Sequence, residues 1–203
     1  MKSLHLLPAI LFGSVLAVPA FAETSQFDGR WVSLACEMRP QQGQNGLEPW
    51  YLKRDITISE GTIRAVFHSF ADRDCAMPLF DLEFAGQFND IGDSAVAPGA
   101  RQVDLVIDQS VKLTPQMAGF ADFLNSGGEG SCGLAAFSPG LQQEVRETGC
   151  AAIGLPANAV TTEYEAMLVK GDALFFGARP VDGSSPNTAD LRPTALQVPL
   201  FRQ

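Results

Sequence analysis

Histidine is almost missing from this sequence: there are two in 203 residues, and one of them, His5, falls in an apolar N-terminal stretch. A metal site built on two histidines is therefore excluded. A Ser-His-Asp constellation would have to run through His68, which lies within a strand-like run, and no Gly-x-Ser-x-Gly turn is present. His68 is read as a packed or solvated strand residue. Basic residues are also few, 14 against 23 acidic ones for a formal charge of −9, which argues against nucleic acid or an anionic membrane as a partner. Internal repeats and low-complexity tracts are lacking. So is a phosphate loop: the stretch 177–186, GARPVDGSSP, has no Lys-Ser/Thr ending and reads as turn chemistry. Tryptophan and tyrosine number two each, whereas phenylalanine numbers 14, so the aromatic content is mostly without polar handles.

One long apolar run exists, at the start. Lys2 precedes an apolar stretch over 6–18 broken only by Pro8, Gly13 and Ser14, and Ala20-Phe21-Ala22 supplies small residues for cleavage. A signal peptide over residues 1–22 is expected, because the run is shorter than the roughly 20 residues a spanning helix needs and polar Glu23-Thr24-Ser25-Gln26 follows at once. Residues 23–203, 181 in number, suit one domain with a sizeable core, and loss of Lys2 takes the formal charge to −10. No cysteine follows the cleavage position and no second apolar run appears, so an exported chain with no membrane anchor is expected.

Four cysteines, Cys36, Cys75, Cys132 and Cys150, follow the leader, and an even count in an exported chain reads as two disulfides. Zinc is the weaker reading, since no Cys-x-x-Cys pair exists and the gaps are long. Three connectivities are open. Cys36 with Cys75 and Cys132 with Cys150 is preferred because each pair brackets a compact block of strands, and a Cys36–Cys132 bridge would refute it.

Period-two patterning predicts strands over 30–37, 51–59, 62–70, 79–88, 102–113, 141–147, 163–169, 173–179 and 194–201. Tight turns are expected at Glu60-Gly61 and Lys170-Gly171-Asp172, and loops at 41–46 and 89–100. One helix is readable, with Thr114 as N-cap, Pro115 at the first position, Met117, Phe120, Ala121 and Leu124 at helical spacing, and Gly127-Gly128 as its end. A flank of the core is its first reading, ahead of a mobile lid. The fold class is all-β with minor α: eight or nine short antiparallel strands closing into a barrel or half-barrel with one helix and two disulfides, with a sandwich as the alternative.

Asp81, Glu83, Asp104 and Asp108 alternate with apolar residues and read as a solvated outer face. A hydrolase built on two carboxylates remains the enzyme alternative. It requires two acids converging in a cleft with perturbed titration.

Three segments then sharpen the reading: GRWVSLACEMRP from Gly29, YLKRDITI from Tyr51 and DRDCAMPLFDLEFAGQF from Asp72. Together they resemble the APCDD domain family (adenomatosis polyposis coli down-regulated), with its Gly-x-Trp-x-Ser, Cys-Glu-x-Arg-Pro, Arg-bearing second strand and Asp-x-x-Cys-x-x-Pro. LTPQMAGF from Leu113, Cys132-Gly133, GLQQEV from Gly140, TGCAAIGL from Thr148, TEYE from Thr162 and GARPVDGSSP are similar to the second of the tandem domains in animal members. The resemblance implies a lipocalin-like β-barrel, disulfides at the motif cysteines and an apolar cavity for a lipid or acyl chain. Animal members are membrane-anchored Wnt antagonists with two such domains. This chain differs in having one domain and no anchor, which points to a bacterial, periplasmic or secreted member.

On the matching motifs, Trp31 is expected to pack across the end of the barrel. Glu37, Arg39, Arg54 and Arg179 form a semi-buried charge cluster, with structural pairing as its first role. Trp31, Phe67, Phe80, Leu82, Phe84, Leu105, Ile107 and Phe120 are the candidates for pocket lining, each of which packed core would also explain. The expected function is an exported, non-enzymatic binding protein without cofactor, whose partner is a hydrophobic small molecule, a lipid or acyl group, or a lipidated protein. The alternative is an interaction module with a filled barrel, Wnt-antagonist-like in a eukaryotic setting, using loops 41–49 and 182–192 as its contact surface.

Overall fold

Period-two alternation carries most of the chain into strands. The computed structural model describes residues 25–43, 46–128, 131–133, 135–180 and 184–203; the expected leader over 1–22 lies outside the described residues. Ten strands and one α-helix are present among them: β1 (Gly29–Val32), β2 (Glu37–Gly43), β3 (Gly46–Ser59), β4 (Thr62–Phe70), β5 (Pro78–Asp93), β6 (Arg101–Pro115), α1 (Ala118–Asn125), β7 (Gln143–Glu144), β8 (Thr161–Lys170), β9 (Ala173–Phe175) and β10 (Leu200–Arg202). Every pairing is antiparallel and all strands belong to one sheet. Because β1 pairs with both β10 and β3, the path β3-β4-β5-β6-β8-β9-β10-β1 returns to its start, and the sheet is ring-like. Only β2 and β7 stand off this circuit, against β3 and β6.

The tight links fall where the turn residues sit. Ser59 pairs with Thr62 across Glu60-Gly61, and Lys170 with Ala173 across Gly171-Asp172. Glu60 (φ 49°) and Gly61 (φ 75°) both adopt the left-handed conformation that two-residue hairpin turns require. Three strands are not short, since β3, β5 and β6 run to 14, 16 and 15 residues. Such lengths close into a ring by coiling, and β5 slips register against β6 between Ala85 and Gln87 and again between Asp90 and Gly92. Gly86 sits at the first slip, where a Cβ would run into the Val106 carbonyl.

Six expectations need correction. The strand expected over 30–37 is two strands, and Pro40, read as the head of the 41–46 loop, pairs with Pro49 instead; among the described strands β2 hydrogen-bonds with β3 alone, so prolines on this edge forfeit no central ladder bond. Thr114 and Pro115 end β6 opposite Asp81 and Phe80 rather than starting a helix, and α1 begins after Met117 with no side-chain cap. The strands expected over 141–147 and 194–201 shrink to β7 and β10, with a lone Gly177–Leu196 bridge before β10. The strand over 173–179 stops at Phe175.

Apolar packing forms two clusters. One joins Phe27, Trp31, Ile58, Met167, Leu174 and Leu200 inside the ring. The other joins Val111, Leu113, Ala121, Leu124, Phe137 and Val145 beneath α1. The disulfides are Cys36–Cys75 and Cys132–Cys150, the preferred pairing.

Candidate functional site

Strand parity brings charge inside. On β3 the buried side chains are Leu52, Arg54, Ile56 and Ile58, so Arg54 shares the inward face with three aliphatics. On β8 the same parity runs Glu163, Glu165, Met167, Val169, of which Met167 and Val169 join the Trp31 cluster. Between the charged and the apolar parts of these strands lies a cavity of ≈310 Å³. Its walls include Ile56, Ile63, Ala65, Phe176 and five expected residues: Phe67, Leu82, Phe84, Leu105 and Ile107. Arg39, Arg54, Glu163, Glu165 and Arg179 line it as well.

Three expected lining residues lie elsewhere. Trp31 is fully buried in the closed core, donates its indole N–H to the Phe27 carbonyl at 2.8 Å and carries the Arg202 guanidinium 4.0 Å from its ring centre. Gly29 leaves room for that stack, since a Cβ there would meet Arg202. Phe80 and Phe120 stack on each other at 4.6 Å between the sheet and α1, outside the cavity. Since Ala121 and Leu124 are buried and Asn125 clamps the Phe137 backbone through both its amide atoms, α1 is a flank of the core.

Trp50 was not among the expected residues. It lines the cavity, stacks 6.2 Å from Phe67 and donates to Ser69 Oγ at 2.8 Å. Pro49 before it reads as a strand break, although β3 continues through both. Its parity with Leu52 was the available signal.

The family-type motifs resolve into one network. Ser33 Oγ donates to Glu37 Oε1 at 2.5 Å and accepts the Arg54 backbone N–H at 2.7 Å. Arg54 Nε donates to the same Glu37 oxygen at 2.9 Å and its Nη2 to the Val198 carbonyl at 2.9 Å. Gly-x-Trp-x-Ser thus closes one end with its Trp and anchors the charge cluster with its Ser. Arg39 is held more loosely, 3.8 Å from Glu37 Oε2, with its guanidinium 5.8 Å from the Phe67 ring centre. Arg179 Nη2 lies 2.7 Å from both Glu163 Oε2 and Glu165 Oε1, the latter an ion pair without hydrogen-bond alignment. Glu165 Oε2 accepts the Gly177 N–H at 3.2 Å.

Burial is the main force on these titrations. It pushes the Glu165 carboxyl up to about 7, with neighbouring Glu163 adding to the rise and Arg179 opposing it. Burial and then the charge of Arg54 bring Arg39 down to about 10, which leaves it cationic at neutral pH.

The outer face is more structured than a solvated surface. Glu83 is buried beneath Arg64 at 2.7 Å and Lys112 at 3.5 Å. Asp104 pairs with Arg192 at 2.6 Å, Asp108 accepts from Gln87, and Asp81 meets His68 Nδ1 at 2.7 Å. In the Asp-x-x-Cys loop, Asp72 accepts the backbone N–H groups of Asp74, Ala76 and Met77, which fixes the turn presenting Cys75 (φ 52°) to Cys36.

The class is defined by these features: an antiparallel ring-like sheet, stapled by two disulfides, that encloses an apolar cavity edged with ion pairs. The family model Adenomatosis polyposis coli down-regulated 1 matches residues 17–152, and the chain belongs to that family. The matched span holds all four cysteines, the Ser33–Glu37–Arg54 network and most of the apolar wall; Glu163, Glu165 and Arg179 lie beyond it. Two disulfides suit an oxidising, extracellular setting.

Proposed function

We propose that this chain is an exported, non-enzymatic binding protein that takes the apolar part of a lipid or acyl chain into its cavity. The observation carrying the reading is the ≈310 Å³ space walled by Phe67, Leu82, Phe84, Leu105 and Ile107, within the range of small-molecule sites, about 300–1,000 Å³. The ligand is a free hydrophobic molecule or the acyl group of a lipidated protein, met in the periplasm or outside the cell after removal of residues 1–22. Neither nucleic acid, a cofactor nor a membrane anchor belongs to this reading. A filled interaction module would need that space occupied by side chains.

One observation favours the hydrolase alternative: Glu163 and Glu165 converge on the cavity, and Glu165 titrates near 7. Both carboxylates, however, are tied to the same guanidinium, and Glu165 is fully buried with its second oxygen held by Gly177. That arrangement suits an anchored ion pair better than an acid and base free to reach a substrate.

Native mass spectrometry and lipid extraction of the purified protein, with titration of an environment-sensitive fatty-acid probe, test the proposal. A co-purifying lipid or saturable probe binding is expected. Absence of both would overturn it.

A further inference from the structure

The charge at the cavity is unevenly satisfied. Arg54 is held through Nε by Glu37 and through Nη2 by the Val198 carbonyl. Among the described residues Arg39 has one ion pair with an acid, at 3.8 Å, and its buried Nε has no hydrogen-bond partner. Arg179 spends Nη2 on two glutamates, while its buried Nη1 likewise has no partner among the described residues. Buried polar groups nearly always find partners, and the two donors without one belong to guanidiniums that line one cavity, where their side chains stay 13% and 18% exposed.

We infer that the polar edge of the cavity holds an anionic head group, so that the ligand is a single-chain amphiphile with its chain against Phe67, Phe84 and Ile107 and its anion on Arg39 and Arg179. The inference rests on the binding function proposed above and names the ligand class. Arginine forks match carboxylate and phosphate oxygens two at a time, and in a partly desolvated site such charge-assisted bonds are about twice as strong as neutral ones. Electrostatic balance agrees. Three arginines line the cavity and three glutamates pair with them, but a Glu165 pushed up to about 7 supplies only part of its negative charge at neutral pH. An entering anion completes the balance. A cationic head would face Arg39 and Arg179 with the glutamates already taken.

The test uses the full-length exported protein after delipidation and four ligands with one chain: dodecanoate, dodecyl phosphate, dodecanol and dodecylamine. Dissociation constants come from displacement of an uncharged apolar probe. At least one of the two anions is expected to bind at least about tenfold tighter than dodecanol and dodecylamine. Arg39→Gln is expected to abolish that preference, bringing the tighter anion to within about twofold of dodecanol when both are measured on the same variant. Which anion binds tighter separates a free fatty acid from a phosphate-headed lipid. Equal binding of anions and alcohol, or a preference for the amine, overturns the head-group assignment while the apolar-chain reading stands. Failure of all four to bind overturns the apolar-chain reading itself. An unchanged preference in a folded Arg39→Gln variant removes Arg39 from the site, and Arg179→Gln must then abolish the preference for the assignment to survive. Should both variants misfold, the four-ligand series on the unaltered protein still decides.

Discussion

The two ends of the strand ring are built from the same strands and filled by opposite means. At the Trp31 end, the inward positions of β3, β8, β9 and β10 are Ile58, Met167, Leu174 and Leu200, each no more than 1% exposed. At the other end, the inward positions of β3 and β8 are Arg54, Glu163 and Glu165, and space remains. Apolar side chains interdigitate to crystal-like density and close the interior. Buried ions instead must hold their partners at hydrogen-bonding distance, which fixes them along the wall and leaves the centre empty. A change of residue type along one strand, without a change of fold, thus turns packed core into cavity.

Removing one large aromatic from each end should have unequal effects. Trp31→Ala deletes a fully buried ring with its hydrogen bond to Phe27 and its stack with Arg202, and a loss of about 3–5 kcal/mol is expected. Phe84→Ala removes a ring that already faces empty space, and less than about half that loss is expected. Urea unfolding of both variants measures the difference, and equal losses would mean that the cavity end is as tightly packed as the closed end. The disulfides come next. They close loops of 39 and 18 residues, so on the loop-entropy account replacing both cysteines of Cys36–Cys75 by Ser should lower stability by about 4 kcal/mol and the same change at Cys132–Cys150 by about 3. A larger loss at Cys132–Cys150 would show that the second apolar cluster depends on its bridge for packing.

Most of the ring was legible because its cues are local. The alternation in β3 and β5 and the Glu60-Gly61 and Gly171-Asp172 turns follow from neighbours in sequence, and the cysteine pairing from the blocks of strands that each pair brackets. Thr114-Pro115 misled because a proline that suits the first turn of a helix also suits the last position of a strand, and here β5 supplied the partner. Pro40 misled for a related reason: only an edge strand tolerates it, and edge position is not written in local sequence. At the site, the burial of Arg54 could be read from its parity with Ile56 and Ile58. The meeting of Arg179 with Glu163 and Glu165 could not, because it depends on how the segment after β9 crosses over β8; there Gly177 packs so tightly against Pro193 and Glu165 that a Cβ would collide with them. Of eight residues expected to line a pocket, Trp31, Phe80 and Phe120 do not, and packing partner sets them apart: Phe80 and Phe120 stack on each other although Phe67 and Phe84, of the same type, line the cavity.

Two titrations sharpen the contrast between buried and exposed charge. Glu165 has its carboxyl raised from 4.5 to about 7, so the folded state holds that proton more tightly than the unfolded chain. Its contribution to stability is complete below about pH 4.5 and is lost as pH rises through about 7. Glu165→Gln should flatten stability over that window in urea titrations at a series of pH values, and an unaltered slope would place the dependence on another group. His68 gives the same sign on a smaller scale. Its hydrogen bond to Asp81 raises it above 6.5 against the opposing effect of burial, so the pair stabilises the fold fully below that value and is lost as pH rises through the folded one. Since 38% of the His68 side chain is exposed, solvent screens the pair, and His68→Gln should cost at most about 0.2–1 kcal/mol at pH 6 and less at pH 8. Probe binding should be unchanged, because His68 is not part of the cavity wall. A loss above that range, or any loss of probe binding, would mean that the outer face of β4 is coupled to the cavity and that the two faces of this sheet are not energetically separate.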